Sequence, residues 1–258
     1  MPTAVQSDPL VVASKLVKQF GNSRVVDGVS LSIQRGETLG LVGESGSGKS
    51  TLARMILRLI QPTSGGVHFA GEDVLAASPT RLRELRQRMQ IVFQDPYAAL
   101  NPRMRVRDIV AEPFAIHGGY GRDQIQARVL ELLASVGLEH DTLDRFPHEF
   151  SGGQRQRINI ARALALKPEF LVLDEPVSAL DVSVGAQVVN LLRDLQRTHG
   201  LTYLFISHSM PLVRYLCDRV AVMQRGRLVE LGPALDVCEH PREPYTQQLI
   251  AATPEMPL

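Results

Sequence analysis

Residues 37–54 of this 258-residue chain read ETLGLVGESGSGKSTLAR, and they say more about its architecture than any other stretch. The segment ETLGLVG predicts a fully buried β-strand that ends in glycine. The run GESGSGKST follows it, and a helix is predicted to begin near Lys49 and to continue through TLARMILRLI, with Pro62 soon after its end. A buried strand, a glycine-rich loop and a helix in this order predict an α/β fold.

The glycine-rich loop matches the pattern G-x-x-x-x-G-K-[ST] in the strand–loop–helix setting that phosphate binding requires. Glycines allow the backbone to aim successive N–H groups at phosphate oxygens, and the following helix adds its positive N-terminal end. We expect Lys49 to neutralise charge on β- and γ-phosphates and the Ser50 hydroxyl to bind Mg²⁺. The alternative is a glycine-rich turn without a ligand. The predicted cradle comprises Gly43, Glu44, Ser45, Gly46, Ser47, Gly48, Lys49, Ser50 and Thr51.

Two carboxylates follow a second apolar run, FLVLDE at residues 170–175. Open α/β sheets bind ligands at the carboxyl ends of their strands, which is where these acids are predicted to lie. We expect Asp174 to hold the metal, directly or through water, and Glu175 to polarise the attacking water as general base. An ordinary strand followed by a solvated acidic turn is the alternative.

The composition is that of a globular protein without a strong charge bias. Lysine and arginine total 28 and aspartate and glutamate 27, so the balance gives no electrostatic reason to expect nucleic-acid binding. The two cysteines, Cys217 and Cys238, are not spaced as paired ligands, and we expect neither a zinc site nor a disulfide framework. The segment MPTAVQSDPLVVASK lacks the features of an export signal, and no window approaches the roughly 20 apolar residues of a membrane span. We therefore expect the protein to stay inside the cell.

The middle of the chain predicts a helical segment inserted into an α/β core. Strand patterns occur early, in LVVASKLVKQF, VVDGVSLSI, GVHFAG and MQIVFQ, whereas RVRDIVAEPFAIHG and RDQIQARVLELLASVG have helical spacing. Strand patterns return in FLVLDE and TYLFISH, and RVAVMQRGRLVELG predicts a hairpin that turns at Arg225-Gly226. We predict a core at residues 1–94 and 168–232, a helical lobe at 95–167, and a loosely attached helical tail at 233–258.

A second candidate anion site is HEFSGGQRQR at residues 148–157, before the predicted helix QRQRINIARALAL. It combines a serine hydroxyl, two glycines that expose N–H groups and a helix N-terminus. The segment resembles the signature motif of ABC ATPases, with Phe150 where leucine is commoner. The resemblance implies that two cassettes bind ATP head to tail, each completing the other's site; Ser151 also fits the N-cap of the helix. The matching residues are Ser151, Gly152, Gly153 and Gln154.

The resemblance to ABC ATPases also implies a fold. It is the α/β P-loop NTPase core of an ABC ATPase, with an N-terminal antiparallel β subdomain and an inserted helical lobe. Gln94 resembles the Q-loop glutamine, which contacts Mg²⁺ and connects to that lobe. Residues 178–181, which end in Asp181, resemble the D-loop at the dimer interface, and His208 resembles the switch histidine at the γ-phosphate. Ser209 departs from the family, in which aspartate commonly follows this histidine. Singly, each residue has the alternative of an ordinary polar position after a strand.

Phe20, in the segment KLVKQFG, occupies the place of the aromatic residue that stacks on adenine in ABC ATPases. Stacking requires only a flat apolar face, so phenylalanine suffices where tyrosine is more usual. A place in the hydrophobic core is the alternative for this side chain. The resemblance favours stacking.

Five segments make the resemblance more specific: ETLGLVGESGSGKSTLAR, IVFQDPYAALNPRM, FPHEFSGGQRQRI, DEPVSALDVS and HPREPYTQQLI. Together they resemble the ATPases of bacterial dipeptide, oligopeptide and nickel importers. This implies ATP and Mg²⁺ as cofactors and a peripheral position on the cytoplasmic face of the inner membrane. The implied partners are two transmembrane permease subunits, a second ABC ATPase of a different paralogue, and indirectly an extracytoplasmic substrate-binding protein, with no nucleic acid.

The implied activity is hydrolysis of ATP coupled to import. MgATP would close two cassettes, Glu175 would promote water attack and His208 would hold the γ-phosphate, while Lys49 and Gln94 complete the catalytic set. The surface around residues 95–104 would transmit closure to a permease. Peptides are the expected cargo and nickel or a nickel chelate the alternative; a soluble ABC ATPase without a permease, and a module that holds ATP without hydrolysing it, are the alternatives of other classes.

Overall fold

The structure is a computed structural model that describes residues 8–252. The chain divides into two compact units: residues 1–86 with 200–258 form the first, and residues 87–199 form the second. The predicted boundaries at residues 94 and 167 stay a prediction. The parts of the predicted ranges at residues 1–7 and 253–258, and with them the start of the segment searched for an export signal, lie outside the described residues.

The elements alternate between strands and helices along most of the chain. Those preceding the second unit are β1 (Val11–Phe20), β2 (Ser23–Ile33), β3 (Thr38–Val42), α1 (Lys49–Ile56), β4 (Ser64–Phe69), β5 (Glu72–Asp73) and α2 (Pro79–Arg88). Next come β6 (Met89–Val92), α3 (Pro96–Ala99), α4 (Val106–His117), α5 (Arg122–Ser135), α6 (Gly152–Leu164), β7 (Phe170–Asp174) and α7 (Val182–His199). The last are β8 (Thr202–Ile206), α8 (Met210–Leu216), β9 (Arg219–Gln224), β10 (Arg227–Pro233), α9 (Ala234–Glu239) and α10 (Pro244–Ala251).

An antiparallel sheet forms the N-terminal part of the first unit, in the order β2-β1-β4-β5. Along β1, Val11, Ala13 and Leu16 are buried while several intervening residues are exposed, as expected for a sheet with one face on a core. The expected antiparallel β subdomain and its three predicted strands are therefore confirmed.

Parallel strands form the other sheet region of the first unit. All five residues of β3 are buried, and β3 pairs in parallel with β8 on one side and β9 on the other. The strand β10 pairs antiparallel with β9. Their connecting turn has positive φ at both Arg225 (47°) and Gly226 (82°), the geometry that joins two strands tightly. The predicted buried strands and the hairpin are confirmed.

The helix α1 begins at Lys49 as predicted but ends at Ile56, four residues earlier than the expected end at Ile60. Arg58 adopts a left-handed backbone conformation with φ 49°. Its guanidinium donates hydrogen bonds to the carbonyl oxygens of Val74 (3.0 Å) and Ala77 (2.6 Å). These tertiary contacts favour a chain reversal at a position where the local sequence favours helix.

The second unit pairs β6 in parallel with β7 and surrounds them with helices. All five residues of β7 are buried, whereas Gln90 and Ile91 in the middle of β6 are only half-buried. Residues 95–167, all within the described range, contain α-helices and two short 3₁₀ turns, at His140–Thr142 and Pro147–Glu149, and no strand. The predicted helices in this segment are present.

The described part of the tail, residues 234–252, is packed rather than loosely attached, which corrects the sequence prediction for that part. Ala234 and Val237 of α9 are buried, and so are Tyr245 and Thr246 of α10. Apolar side chains spaced along two short helices give the tail a buried face. The sequence did not predict this face, because the helical pattern is short and interrupted by prolines. None of the helices between residues 8 and 252 combines the length and the apolar character that crossing a membrane demands.

Candidate functional site

The glycine-rich loop lies between β3 and α1, in the predicted setting. Lys49 is the first residue of α1 and is only 5% exposed. Its ammonium donates to the carbonyl oxygens of Gly43 and Glu44, at 2.8 Å each, and has a longer contact of 3.4 Å to Ser47 Oγ. The cation is thus held inside the curve of the loop, where a polyphosphate would meet it.

The loop is packed so closely that two of its glycines are required by space as well as by backbone conformation. A Cβ atom on Gly43 (φ 149°) would lie 2.1 Å from the carbonyl oxygen of Met223, and one on Gly48 (φ 104°) would lie 2.5 Å from that of Val25. The hairpin turn also supports the loop, because Gly226 N–H donates to the Ser47 carbonyl at 3.0 Å. The loop is therefore braced from β9 and β2.

The open side of the loop has the chemistry of a phosphate site. Glu44, Ser45 and Gly46 are exposed, and Ser50 and Thr51 are half-buried. Gly48 is the N-cap of α1 and makes no side-chain cap hydrogen bond, and the N-terminus of a helix favours an anion. A buried ammonium, glycine amides and a helix N-terminus together fit a nucleotide triphosphate, and the Ser50 hydroxyl is a hard oxygen ligand of the kind Mg²⁺ takes.

Two other predicted residues of the first unit lie at strand ends. Phe20 ends β1, is 50% exposed and has the ammonium of Lys18 at 4.8 Å from its ring centroid. The core alternative for Phe20 is therefore wrong, and stacking on adenine stays a prediction. His208 is exposed and follows β8 by two residues. The backbone N–H of Ser209 donates to Ser207 Oγ at 3.0 Å, which orders the turn that carries the histidine.

In the second unit, β7 ends at the predicted carboxylates. Asp174 is 2% exposed, whereas Glu175 is half-buried and adopts a left-handed backbone conformation with φ 48°. Gln94, which follows β6 by two residues, donates from Nε2 to Glu175 Oε2 at 3.0 Å. The Ser178 hydroxyl donates to the Glu175 carbonyl oxygen at 3.1 Å. Gln94 thus orients the carboxylate of Glu175, and the following turn holds its backbone.

The predicted signature segment forms the N-terminus of α6. Ser151 is the N-cap, and its Oγ accepts from the Gln154 N–H at 3.3 Å while Gln154 Oε1 accepts from the Ser151 N–H at 3.0 Å. This capping box confirms the N-cap interpretation of Ser151. A Cβ atom on Gly153 would lie 2.3 Å from Val184 Cγ1, and one on Gly152 would lie 3.1 Å from Leu180 Cδ2. Small residues are therefore needed where the starts of α6 and α7 meet.

Asp181 immediately precedes α7. Its Oδ1 accepts from the Val184 N–H at 2.9 Å and from the Ser183 hydroxyl at 2.8 Å. These hydrogen bonds, first the backbone one from Val184 and then the side-chain one from Ser183, hold the pKa of Asp181 below its usual range. The carboxylate is consequently ionised at neutral pH and caps the helix.

The predicted residues thus fall into two sets. Within the second unit, hydrogen bonds bring Gln94 together with Glu175 and Ser178, and packing brings Gly152 and Gly153 against the start of α7. Within the first unit, the glycine-rich loop closes on Lys49, and the ring of Phe20 makes a cation–π contact with Lys18. Their catalytic and binding roles stay predictions.

Sequence analysis missed several residues that contact the predicted motifs. The hydroxyl of Tyr245, in α10, accepts a hydrogen bond from the Glu44 N–H at 3.0 Å, over 201 sequence positions. The guanidinium of Arg155 lies 3.6 Å from the ring centroid of Tyr97, and Arg155 also donates to the carbonyl oxygens of Pro147 (2.6 Å) and His148 (3.2 Å). No local pattern signals these contacts, although Arg155 does follow the signature directly.

A groove lies over the start of the helical segment in the second unit. Its volume is about 460 Å³, and 66% of Tyr97 on its rim is exposed. Arg162 forms part of its floor and donates to the Ala99 carbonyl oxygen at 2.7 Å. The groove combines apolar and polar lining from Tyr97, Ala98, Ala99, Leu100, Asn101, Pro102, Met104, Ile109, Glu112 and Arg162.

Comparison with known proteins gives one family. The sequence profile described as ABC transporter matches residues 26–178. The oligopeptide transport ATP-binding protein OppF of Bacillus subtilis (strain 168) is 55% identical over 236 residues, which cover 91% of this chain and 77% of that protein. The dipeptide transport ATP-binding protein DppF of Lactococcus lactis subsp. cremoris (strain MG1363) is 54% identical over 237 residues, which cover 91% of this chain and 76% of that protein.

Solved structures give the same fold. The protein cbiO1 of Clostridium perfringens, part of the ABC transporter complex cbiONQ, superposes with a TM-score of 0.82 at 31% identity, covering 91% of this chain and 92% of that one. The ATP-binding cassette MJ0796, in a dimeric post-hydrolysis state bound to ADP and Pi, superposes with a TM-score of 0.78 at 29% identity, covering 87% and 98%. The expected ABC ATPase fold is confirmed. The chain therefore belongs to the ABC transporter family, as one of its ATP-binding, ATP-hydrolysing cassettes.

Proposed function

We propose that this chain hydrolyses ATP to drive the import of dipeptides or oligopeptides through partner permease subunits. The names of its relatives support the cargo: OppF and DppF are 55% and 54% identical to it. The single observation that carries the catalytic part is the hydrogen bond from Gln94 to Glu175, because it holds a carboxylate in place at the end of β7. No comparison favours nickel as the cargo over peptides.

In the proposed mechanism, the loop Gly43–Thr51 binds the phosphates and Lys49 neutralises their charge. Bound Mg²⁺ would neutralise part of the phosphate charge. Ser50, Asp174 and Gln94 are the residues that would hold it, and all three present oxygen ligands. Phe20 would stack on the adenine.

Glu175 is the proposed general base. It accepts a proton from the water that attacks the γ-phosphate, and Gln94 keeps its carboxylate oriented before the water arrives. His208 donates a hydrogen bond to the γ-phosphate and fixes its geometry. Catalysis of this kind consists mainly of positioning and charge neutralisation, which suits a site made of short, braced loops.

A second cassette completes the proposed site. Ser151 and Gly153 of the partner would cap the γ-phosphate, with Gly152 and Gln154 shaping that turn and Asp181 crossing the interface. The exposed position of Ser151 at the N-terminus of α6 supports this role. The cassette MJ0796, which is dimeric with ADP and Pi bound, supports it as well. We propose a heterodimer with a different paralogue.

The proposed permease contact is the groove lined by residues 97–104 with Ile109, Glu112 and Arg162. An exposed aromatic rim and a polar floor suit the insertion of a short loop from a membrane subunit. We place the chain at the cytoplasmic face of the membrane, bound to two permeases that receive cargo from an extracytoplasmic binding protein. In this proposal residues 95–167 form the helical lobe, residues 1–94 and 168–232 the core, and residues 233–258 the tail.

Co-purification from native membranes tests the proposal. The tagged chain is recovered after gentle solubilisation, and its partners are identified by mass spectrometry. We expect two multi-span permeases and a second ATPase, and then peptide-stimulated ATP hydrolysis when the purified complex is reconstituted with its binding protein. Recovery from the cytosol alone, without a membrane subunit, contradicts import and leaves a soluble ABC ATPase. Stimulation by nickel but not by peptides contradicts the cargo only.

A further inference from the structure

The C-terminal helix α10 reaches the phosphate loop through one side chain. Tyr245 lies on the first turn of α10 and is only 9% exposed. Its hydroxyl oxygen accepts a hydrogen bond from the backbone N–H of Glu44, at 3.0 Å. Because Tyr245 and Glu44 both belong to the first unit, the contact lies within one compact body. It therefore joins the tail to the loop at a defined atom.

The amide that Tyr245 contacts is the same one that holds Lys49. The N–H of Glu44 and the C=O of Gly43 form a single peptide group, and the Gly43 oxygen accepts from Lys49 Nζ at 2.8 Å. This peptide group is thus held at both ends. Its N–H donates to the Tyr245 hydroxyl oxygen, and its C=O accepts from the Lys49 ammonium. Hydrogen bonds in series polarise one another, so an acceptor on the N–H makes the C=O a stronger partner for the cation.

The next peptide group extends the same network. The Glu44 carbonyl oxygen accepts from Lys49 Nζ at 2.8 Å and from the Ser47 N–H at 3.2 Å. The two 2.8 Å hydrogen bonds of the Lys49 ammonium thus go to the carbonyl oxygens of Gly43 and Glu44. Each of these carbonyls belongs to a peptide group that includes an atom of Glu44, so its orientation depends on how Glu44 is held. The contact to Ser47 Oγ is longer, at 3.4 Å, and this weaker contact is the one that a phosphate oxygen would replace.

The helix that carries Tyr245 is itself fixed. Glu230 of β10 accepts hydrogen bonds from the backbone N–H groups of Arg242 (3.0 Å) and Glu243 (3.3 Å), directly before α10 begins. Thr246, beside the tyrosine, is fully buried. The tail is therefore anchored to the β9–β10 hairpin, which also supports the glycine-rich loop. A packed helix consequently holds the Tyr245 hydroxyl in position.

We propose that Tyr245 is a positioning residue for ATP binding. It fixes the Gly43–Glu44 peptide group and through it the Lys49 ammonium, so that the cation meets the β- and γ-phosphates without rearrangement. Tyr245 need not touch the nucleotide. The inference rests on the proposed role of the loop as the ATP phosphate site, and it assigns the tail a part in that site.

The test compares Tyr245→Phe with the wild-type full-length chain. The substitution keeps the buried ring and removes only the acceptor oxygen. We expect the Kd for MgATP to rise about threefold to tenfold, the effect of one neutral hydrogen bond. Adenosine has no phosphates, so its Kd, measured by competition with a fluorescent ATP analogue, should stay unchanged. The Tm should fall by no more than a few degrees, the effect of losing one hydrogen bond. In addition, the Glu44 amide should exchange its hydrogen faster. Tyr120→Phe, at a ring that packs on Phe114 in the second unit, is the matched control.

Each result has one meaning. An unchanged Kd for MgATP in Tyr245→Phe overturns the inference, as does equal weakening of MgATP and adenosine with a lower Tm, which indicates a structural role only. The proposed function fails separately: it is contradicted if the wild-type chain does not bind MgATP, or if Lys49→Ala binds it as well as the wild type. Either of these two results shows that the proposed function is wrong, whatever the Tyr245→Phe variant does.

Discussion

Glu175 shows how a single residue combines backbone strain with a reactive side chain. Its φ of 48° is uncommon for a residue with a side chain, and conformations of this kind cost about 1–3 kcal/mol. The cost is accepted only where neighbouring groups hold the conformation, and here Gln94 and Ser178 hydrogen-bond the side chain and the carbonyl oxygen respectively. The left-handed conformation turns the chain directly after β7 ends at Asp174.

Glu175→Gln should abolish turnover while MgATP binding is retained. The amide keeps the shape and the hydrogen bond to Gln94 but cannot accept a proton, so we expect kcat to fall by about 10²- to 10⁴-fold. Steady-state phosphate release and MgATP titration of the same preparation measure the two effects. Glu131→Gln, which makes the same change at an exposed position of α5 outside the proposed site, serves as the comparison for kcat. Unchanged kcat in Glu175→Gln would show that another group is the base.

At the scale of elements, the close approach of α6 and α7 explains why glycine occupies the signature. Gly153 has two separable reasons to lack a side chain: the contact with Val184 and the proposed contact with a partner's phosphate. Sequence analysis assigned only the second reason, because the first depends on how two helices about 30 residues apart pack. A pair of substitutions can separate them.

Gly153→Ala should lower the free energy of unfolding by about 1–3 kcal/mol, the usual cost of overpacking. Adding Val184→Ala removes the methyl groups that clash and should restore most of that stability. ATP hydrolysis in the heterodimer should stay low in both variants if Gly153 also faces the partner's nucleotide. Urea unfolding and phosphate release are the measurements. Full recovery of hydrolysis in the double variant would assign Gly153 to packing alone.

Arg155 connects α6 to the short helix α3 through a stacked contact. Arg155→Lys should destabilise the second unit by about 1–3 kcal/mol, because lysine keeps the charge but loses the planar stack on Tyr97 and the forked hydrogen bonds to Pro147 and His148. Urea unfolding monitored in that unit measures the change. The matched control is Arg122→Lys, at an exposed position that begins α5. Equal stability of the two variants would mean that the stack contributes nothing.

For the whole molecule, nucleotide and stability should be linked. A ligand that binds only the folded chain stabilises it, by about 2.7 kcal/mol at a concentration 100 times its Kd. MgATP should therefore raise the Tm of the wild-type chain, and chelation of Mg²⁺ by EDTA should remove part of the rise. In Lys49→Ala, MgATP should raise the Tm little, whether or not EDTA is present. A thermal melt with and without EDTA checks this, and an equal shift in Lys49→Ala would contradict the proposed site.

Much of the fold could be predicted from local patterns, because short buried strands, glycine loops and helix caps each depend on residues that are consecutive in the sequence. The strand before Gly43, the helix start at Lys49 and the hairpin at Arg225-Gly226 are of this kind. The early end of α1, the packed tail and the Tyr245 contact were not predictable, because each depends on residues distant in sequence. The sequence pattern of the tail predicted helices but not the residues that these helices contact.

The discontinuous first unit has a consequence for the order in which the protein can be built. During synthesis the glycine-rich loop emerges before the residues that brace it, Met223, Gly226 and Tyr245, and Tyr245 follows Glu44 by 201 positions. The second unit, one continuous segment, has all its parts before then. Domains fold as units while the ribosome is still translating, and long-range pairings wait for their partners. A nascent chain should therefore acquire the ability to bind ATP only after Tyr245 has left the ribosome.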